Sequence, residues 1–306
     1  MSIVFFGTPD FAVPSLTVLI DSGEEISLVV TQTDKVKGRG HRLSTPPVKE
    51  AALKAGLRVL QPSQLKDTEI SEEILSLQPD FIVVIAYGKL LPKSLLEIPR
   101  YGCVNVHASL LPKYRGAAPV AWAIMKGEEK TGITTMLMNE GLDTGPILLQ
   151  EELDIDAEDT TGSLSRKLSE IGASLLRETI EGLRNGSLSP RPQSGEAGYA
   201  PTLRKEDGLI DWSKSAAEIS DFIRGMNPWP GAYCHIGDET LKILKARPMH
   251  GTGLPGVIEK LGKNELIIGT GSGLLSVIEL LPSGKKPMPT SAFLQGRRLA
   301  QGIALR

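Results

Sequence analysis

The chain has 306 residues, 41% hydrophobic and 23% charged, the composition of a soluble globular protein too long for one ordinary core and suited to two domains. No apolar run approaches the roughly 18 residues of a membrane helix, so a helical membrane protein is excluded and no membrane partner is expected. The net charge of −2 hides a division: from Gly208 onward 12 Lys/Arg face 8 Asp/Glu, a balance of +4, and the preceding residues carry −6. A small basic excess at one end leaves a polyanionic partner open without requiring it.

The opening MSIVFFG reads as a short apolar strand ending at Gly7, with neither the basic n-region nor the A-x-A site of a cleavable signal. FAVPSLTVLIDSG then reads as a helix, ISLVVTQT as a strand, TPPVKEAALKAG as a helix and LRVLQP as a third strand. ISEEILSLQPD is a short amphipathic helix before FIVVIAYG, a strand apolar on both faces. GCVNVHAS, a helix containing PVAWAIMKG, the strands TGITTMLMN and GPILLQEELDI, and a long helix TTGSLSRKLSEIGASLLRETIEGLRNG follow. Apolar strands alternating with helices predict an α/β fold, a doubly wound, mostly parallel Rossmann-like sheet covered on both sides.

From about Leu188 the texture changes. Residues 189–207, rich in Pro, Gly and charge, read as an extended linker between a first domain at 1–188 and a second at 208–306. In the second, short apolar runs recur between turns of Gly, Pro or charge, which predicts a small antiparallel, OB-like β-barrel. Cys103 and Cys234 form no metal-ligand spacing; no metal is expected, and two buried thiols suggest a reducing, cytoplasmic setting.

The chemistry-bearing stretch is NVHASLLPKYRGAAP, residues 105–119. In an extended strand side chains i and i+2 share a side, so Asn105 and His107 stand together while Val104 and Val106 face away. They fall at a C-terminal strand end, where doubly wound sheets bind ligands. NEGLDTGPI places Asp143 between Gly141 and Gly145. An Asx-turn is the ordinary fate of such an aspartate, and pairing with His107 is the functional alternative. Asn, His and Asp suit acyl transfer without a covalent intermediate: two N–H donors for an oxyanion and a proton relay. No G-x-S-x-G elbow or P-loop occurs, and GTPDF lacks the second glycine of a dinucleotide fingerprint. KVKGRGHRLSTPP groups Lys35, Lys37, Arg39 and Arg42. It is either a solvated loop or a mobile one that closes on phosphates.

The run SLLPKYRGAAP after NVH resembles the hydrolase/formyltransferase family that uses 10-formyltetrahydrofolate, whose signature is N-x-H-x-S-L-L-P, then R-G and a later aspartate. GTPDFA, GRG, VVIAYGKLLP, GLDTG, IDWSKSA and NPWPGA look like the branch acting on methionyl initiator tRNA, in the same order and over essentially the whole chain. The resemblance implies that Asn105 and His107 polarise the formyl group and that Asp143 orients His107. It implies that Ser109, Leu110, Leu111 and Pro112 line the folate site and that Ile85, Ala86, Tyr87 and Gly88 bind the pterin through backbone groups. It also implies that the Lys35–Arg42 loop enters near the tRNA acceptor end, and that Lys285, Lys286, Arg297 and Arg298 hold the tRNA backbone. 10-Formyltetrahydrofolate would be co-substrate and formyl donor, tetrahydrofolate the product, and the enzyme a monomer. The rivals are a formyltransferase for a sugar-nucleotide amine, with little use for the basic loop, and a non-catalytic RNA-binding protein, with none for Asn–His–Asp.

Overall fold

The computed structural model describes residues 1–37, 42–65, 68–262, 264–295, 297 and 299–306. In chain order its elements are β1 (Ser2–Gly7), α1 (Val13–Asp21), β2 (Glu25–Val30), β3 (Lys35–Lys37), β4 (Arg42–Ser44), α2 (Pro47–Lys54), β5 (Val59–Leu60), α3 (Thr68–Ser76), β6 (Phe81–Ile85) and α4 (Lys93–Leu96). There follow β7 (Cys103–His107), β8 (Arg115–Gly116), α5 (Pro119–Met125), β9 (Lys130–Leu137), β10 (Ile147–Asp154), α6 (Thr161–Asn185) and β11 (Tyr199–Ala200). The last are α7 (Ala216–Gly225), β12 (Tyr233–Ile236), β13 (Glu239–Met249), β14 (Ile258–Leu261), β15 (Leu266–Gly269), β16 (Leu274–Pro282), β17 (Met288–Pro289) and α8 (Thr290–Gln295). The chain divides into two compact units, one of residues 1–119, 131–154 and 165–200 and one of residues 120–130, 155–164 and 201–306.

The first unit is built on a seven-stranded sheet of order β10-β9-β7-β6-β1-β2-β5. From β7 to β5 every pairing is parallel, and β9 runs antiparallel to β7. The doubly wound, mostly parallel sheet expected from the apolar runs is present. Its middle strands need no polar face: Ile3 to Phe6 in β1 and Phe81 to Ile85 in β6 are all buried. Each such side chain contributes about 1.5–3 kcal/mol through removal from water. The chain leaves β1 toward β2 and β5, then returns to β6 and β7 on the other side, so the order reverses between β1 and β6. That reversal opens a crevice at the C-terminal strand ends.

Two local features differ from the sequence reading. The third strand shrinks to Val59–Leu60, because only those two residues pair, with Val29 and Val30. The basic segment forms a hairpin stem, Lys35 opposite Ser44, Val36 opposite Leu43 and Lys37 opposite Arg42.

In the second unit, β12-β13-β16-β15-β14 form an antiparallel sheet to which β17 adds beside β16, an OB-like half-barrel. Helix α7 opens with a capping box in which the Ser215 hydroxyl accepts from the Glu218 N–H and the Glu218 carboxylate accepts from the Ser215 N–H. Its buried side, Ala216, Ile219, Ser220 and Ile223, repeats at three and four residues and lies on β13. No helix among the described residues is long and apolar enough to cross a membrane.

Candidate active site

Strand β7 is the hinge of the site, with β6 parallel on one side and β9 antiparallel on the other. Asn105 lies between Val84 and Met136, and His107 opposite Thr134. Asn105 is 9% exposed and His107 6%, while Val104 and Val106 fill the other face. The Asn105 carboxamide makes no hydrogen bond to any described residue. The carboxamide is nevertheless open to solvent or a ligand: the sealed side-chain N and O atoms without a hydrogen-bond partner among the described residues belong to Glu73, Tyr87, Thr131 and Trp212.

Beyond His107 the chain turns through a cis Leu111–Pro112 bond and is stitched down by β9 and β10. Thr134 Oγ1 donates to Ser109 O (2.6 Å) and accepts from Leu111 N (3.1 Å) and Gln150 Nε2 (3.0 Å). Gln150 Nε2 also reaches Leu111 O at 3.0 Å. The Ser109 hydroxyl donates to Lys113 O at 2.6 Å, and Leu111 packs with Met136, Ile147 and Met138. Ser109 and Leu111 are therefore buried, whereas Leu110 and Pro112 are half-buried.

His107 is held from two sides. Its Nε2 lies 2.9 Å from Tyr114 O, and its Nδ1 3.7 Å from Asp143 Oδ2. A carbonyl only accepts, so Nε2 carries the proton and Nδ1 is the nitrogen free to gain or lose one. The ring is fixed by a backbone carbonyl, and the carboxylate stands just beyond hydrogen-bond length. Asp143 Oδ2 accepts from Gly116 N at 2.8 Å. Both Tyr114 (φ 60°) and Asp143 (φ 51°) occupy the left-handed region, the posture that brings carbonyl and carboxylate to the ring. At Gly145 a Cβ would overlap the Leu137 carbonyl, so only glycine lets the Asp143 loop lie against β9.

Gln193 ties this loop down. Its Nε2 donates to Asp143 O and Gly145 O, both at 2.8 Å, and its Oε1 accepts from Arg115 at 2.6 and 3.1 Å. Gln193 sits in the Pro- and Gly-rich stretch expected to be linker. Part of that stretch is bonded to the site: β11 pairs with β8, and Arg191 exchanges backbone bonds with Ile147.

At the end of β6, Ala86 (φ 47°) and Gly88 are exposed while Ile85 and Tyr87 are buried. The Tyr87 ring meets Phe6 edge-on, centroids 5.2 Å apart, inside the apolar cluster, so only its backbone serves the rim. Burial pushes the Tyr87 hydroxyl and the Cys103 and Cys234 thiols each up to about 12, and both cysteines are free and buried.

The basic residues do not converge in this way. Lys35 Nζ donates to Gln32 Oε1 at 2.9 Å. Lys37 and Arg42 belong to the hairpin stem, and Arg39 and Arg298 lie outside the described residues. Lys285 and Lys286 are exposed between β16 and β17. Arg297 makes a bidentate pair with Glu239, its Nη2 2.6 Å from Oε1, and covers the Phe293 ring at 4.5 Å. The Arg297 hydrogen bonds hold the Glu239 carboxyl below the usual carboxylate range. Sequence patterns single out neither Tyr114 nor Gln193, nor Thr134; their work is done through backbone carbonyls and cross-strand bonds, which leave no periodic trace.

Comparison with known proteins bears on the whole chain. The formyl transferase family model matches residues 1–180, and the model for the formyl transferase C-terminal domain matches residues 202–298. The chain is 54% identical to the methionyl-tRNA formyltransferase of Thermodesulfovibrio yellowstonii, covering 98% of this chain and 97% of that protein. It is 50% identical to the methionyl-tRNA formyltransferase of Citrifermentans bemidjiense over 99% and 95% of the two chains. Among solved structures, WlaRD, a sugar 3N-formyl transferase crystallised with dTDP and 5-N-formyl-THF, superposes with a TM-score of 0.68 at 20% identity, over 94% of this chain and 99% of that one. HypX from Aquifex aeolicus gives 0.67 at 19% identity, over 97% and 49%.

Proposed function

The chain belongs to the formyl transferase family, and from that premise we propose that it moves the formyl group of 10-formyltetrahydrofolate to the α-amine of methionyl initiator tRNA. Residues 1–188 carry the chemistry, 208–306 contribute tRNA contacts and 189–207 join them. The observation that carries the chemistry is the His107 ring held between the Tyr114 carbonyl and the Asp143 carboxylate, with Asn105 two residues before it on the same strand. The family and its near-full-length relatives support the acceptor.

The formyl carbonyl lies against Asn105 Nδ2 and the His107 Nδ1–H, with the folate across the exposed Ala86–Gly88 backbone and along Leu110 and Pro112. Ile85, Tyr87, Ser109 and Leu111, buried beneath, shape that surface. The methionyl amine, with a free pKa of about 8 that esterification lowers, attacks in its neutral form. As the carbonyl carbon becomes tetrahedral, charge grows on its oxygen. Asn105 donates to it, and His107, charged at Nδ1 and anchored at Nε2, donates from the other side. Asp143 stabilises that imidazolium and accepts the proton released by the amine. The C–N bond to N10 of the folate then breaks, the proton passes to the departing nitrogen, and tetrahydrofolate leaves. No metal has a part in these steps.

Lys35, Lys37, Arg39 and Arg42 flank the acceptor end, and Lys285, Lys286 and Arg298 face the tRNA backbone; Arg297, its charge matched by Glu239, adds less. One copy of the chain suffices, since Asn105, His107 and Asp143 come from a single unit, and the reaction takes place in the cytoplasm with protein synthesis. The test is formyl transfer from 10-formyltetrahydrofolate to methionyl initiator tRNA, with methionyl elongator tRNA and free methionine beside it. Rapid formylation of the initiator alone is expected. Folate turnover without tRNA preference would reassign the acceptor and leave the Asn–His–Asp chemistry standing.

A further inference from the structure

The C-terminal ends of β1, β2, β5 and β6 carry a polar net that these steps do not use. Gln61 Nε2 donates to Gln32 O at 2.7 Å and to Asp34 Oδ1 at 2.8 Å. Lys49 Nζ donates to both Asp34 oxygens at 2.9 Å and to Gln61 Oε1 at 2.6 Å. Gln32 N meets Thr8 Oγ1 at 3.3 Å. With its backbone fixed in this way, the Gln32 side chain reaches in two directions. Nε2 donates to Tyr87 O at 2.7 Å, and Oε1 accepts from Lys35 Nζ at 2.9 Å. The next residue of the rim is shaped around the same amide. Gly88 has φ +81°, and a Cβ there would stand 2.6 Å from Gln32 Nε2. Glycine is needed at 88 both for its dihedral and for that approach.

The geometry points to Gln32 as a positioning residue that couples the two substrates. It links Lys35, at the foot of the basic hairpin, to the backbone of Ala86–Gly88 at the end of β6. This rests on the proposed function, which puts tRNA phosphate at Lys35 and folate at Ala86–Gly88. The Lys35 ammonium has three N–H groups and gives one to Gln32; among the described residues it has no other partner. A phosphate can take a second N–H without displacing the first, and it pins the ammonium where Gln32 needs it. A carboxamide that accepts at one end is polarised to donate at the other, so the bond to Tyr87 O tightens with it. The rim is then ordered before folate arrives. Bound tRNA therefore strengthens folate binding, and by linkage folate strengthens tRNA binding by the same factor.

The probe is 5-formyltetrahydrofolate, which carries no formyl group on N10 to transfer. Its dissociation constant is measured with and without uncharged initiator tRNA, saturating for each variant. In the unaltered enzyme tRNA is expected to tighten the folate about fivefold, and the folate to tighten tRNA equally. Lys35→Met cuts the link on the hairpin side. Gln32→Glu keeps an acceptor for Lys35 but turns a carboxylate oxygen toward Tyr87 O, cutting it on the folate side. Each is expected to bring the ratio to about one, and Gln32→Glu also to weaken folate alone about five- to tenfold. A ratio of one in the unaltered enzyme, or a fivefold ratio surviving in either variant, overturns the coupling. Should Gln32→Glu fail to fold, the exposed Lys35→Met decides alone. Formylation of methionyl initiator tRNA is assayed on the same preparation. Its absence sinks the assignment of substrates, whereas formylation without coupling sinks only the role of Gln32.

Discussion

At the end of β7 Asn105 and His107 are less than a tenth exposed, and the ring, the turn and the Asp143 loop around them are held by hydrogen bonds, whereas in the second unit Lys285 and Lys286 stand in solvent and Arg297 is matched by a carboxylate. His107 cannot rotate without giving up the Tyr114 carbonyl, and the Asp143 loop cannot lift without breaking the Gln193 bonds. Among the described residues no hydrogen bond holds the ammonium groups of Lys285 and Lys286, and Lys285 only adds a weak pull on Glu239. The difference is what the two tasks ask. An oxyanion donor must be in place before charge develops, because reorganisation during the reaction raises the barrier. A phosphate contact works at the range of a Debye length, about 8–10 Å at physiological salt, and tolerates a moving side chain.

The largest effects are therefore expected at the fixed site and in rate. His107→Ala removes an oxyanion donor and the cation that Asp143 stabilises, and single-turnover formylation should fall by at least about 10²–10³. Asn105→Ala and Asp143→Ala should each fall by about 10² or more. The tRNA dissociation constant should stay within about twofold for all three. A tRNA affinity that drops as far as the rate would mean these residues bind rather than catalyse.

Gln193 comes next. Gln193→Ala strips two donors from the Asp143 loop and the acceptor from Arg115, bonds of about 1 kcal/mol each. The turnover rate should fall about tenfold while KM for the folate donor holds. Gln193→Glu keeps the acceptor for Arg115 but cannot donate to two carbonyls, and it should fall as far. Full activity in Gln193→Glu would show that the Arg115 contact alone matters.

What the sequence makes legible follows the same contrast. The buried strands are readable because FIVVI and IVFF have only one sensible fate, and the i, i+2 alternation puts Asn105 beside His107 with no knowledge of the fold. That Asp143 reaches His107 is not readable from spacing, since Asp143 follows His107 by 36 positions and comes after the next long strand, β9; the family resemblance implies it. Gln193 stayed hidden because its stretch has the composition of a linker and its partners are two backbone carbonyls and a side chain 78 positions away. The hairpin stem stayed hidden because three-residue strands are shorter than any periodicity can register. Local pattern finds elements and same-face pairs; side-chain to main-chain bonds across the chain are invisible to it.

At the exposed surface the expected effect is smaller and is read in salt. Replacing Lys285 and Lys286 together by alanine should weaken tRNA binding modestly and flatten its log–log salt slope by about one to two units, with the single-turnover rate at saturating tRNA unchanged. An unchanged slope would leave both lysines as solvated turn residues.

The smallest effect tests whether Arg297 belongs to the surface or to the structure. Its pairing lowers the folded-state pKa of Glu239, so the pair contributes stability above the ordinary glutamate range and loses it as pH falls through that lowered value. Glu239→Gln should cost about 1 kcal/mol at neutral pH, the upper end for a partly exposed bidentate pair. The unfolding curves of the two proteins should converge only once pH falls below that lowered value, where the carboxylate is protonated in both states of the parent. The same substitution leaves the guanidinium over Phe293 with an unmatched charge. If Arg297 faces tRNA, Glu239→Gln binds tRNA more tightly at low salt while being less stable. If it only fastens α8 to β13, stability falls and tRNA affinity stays where it was.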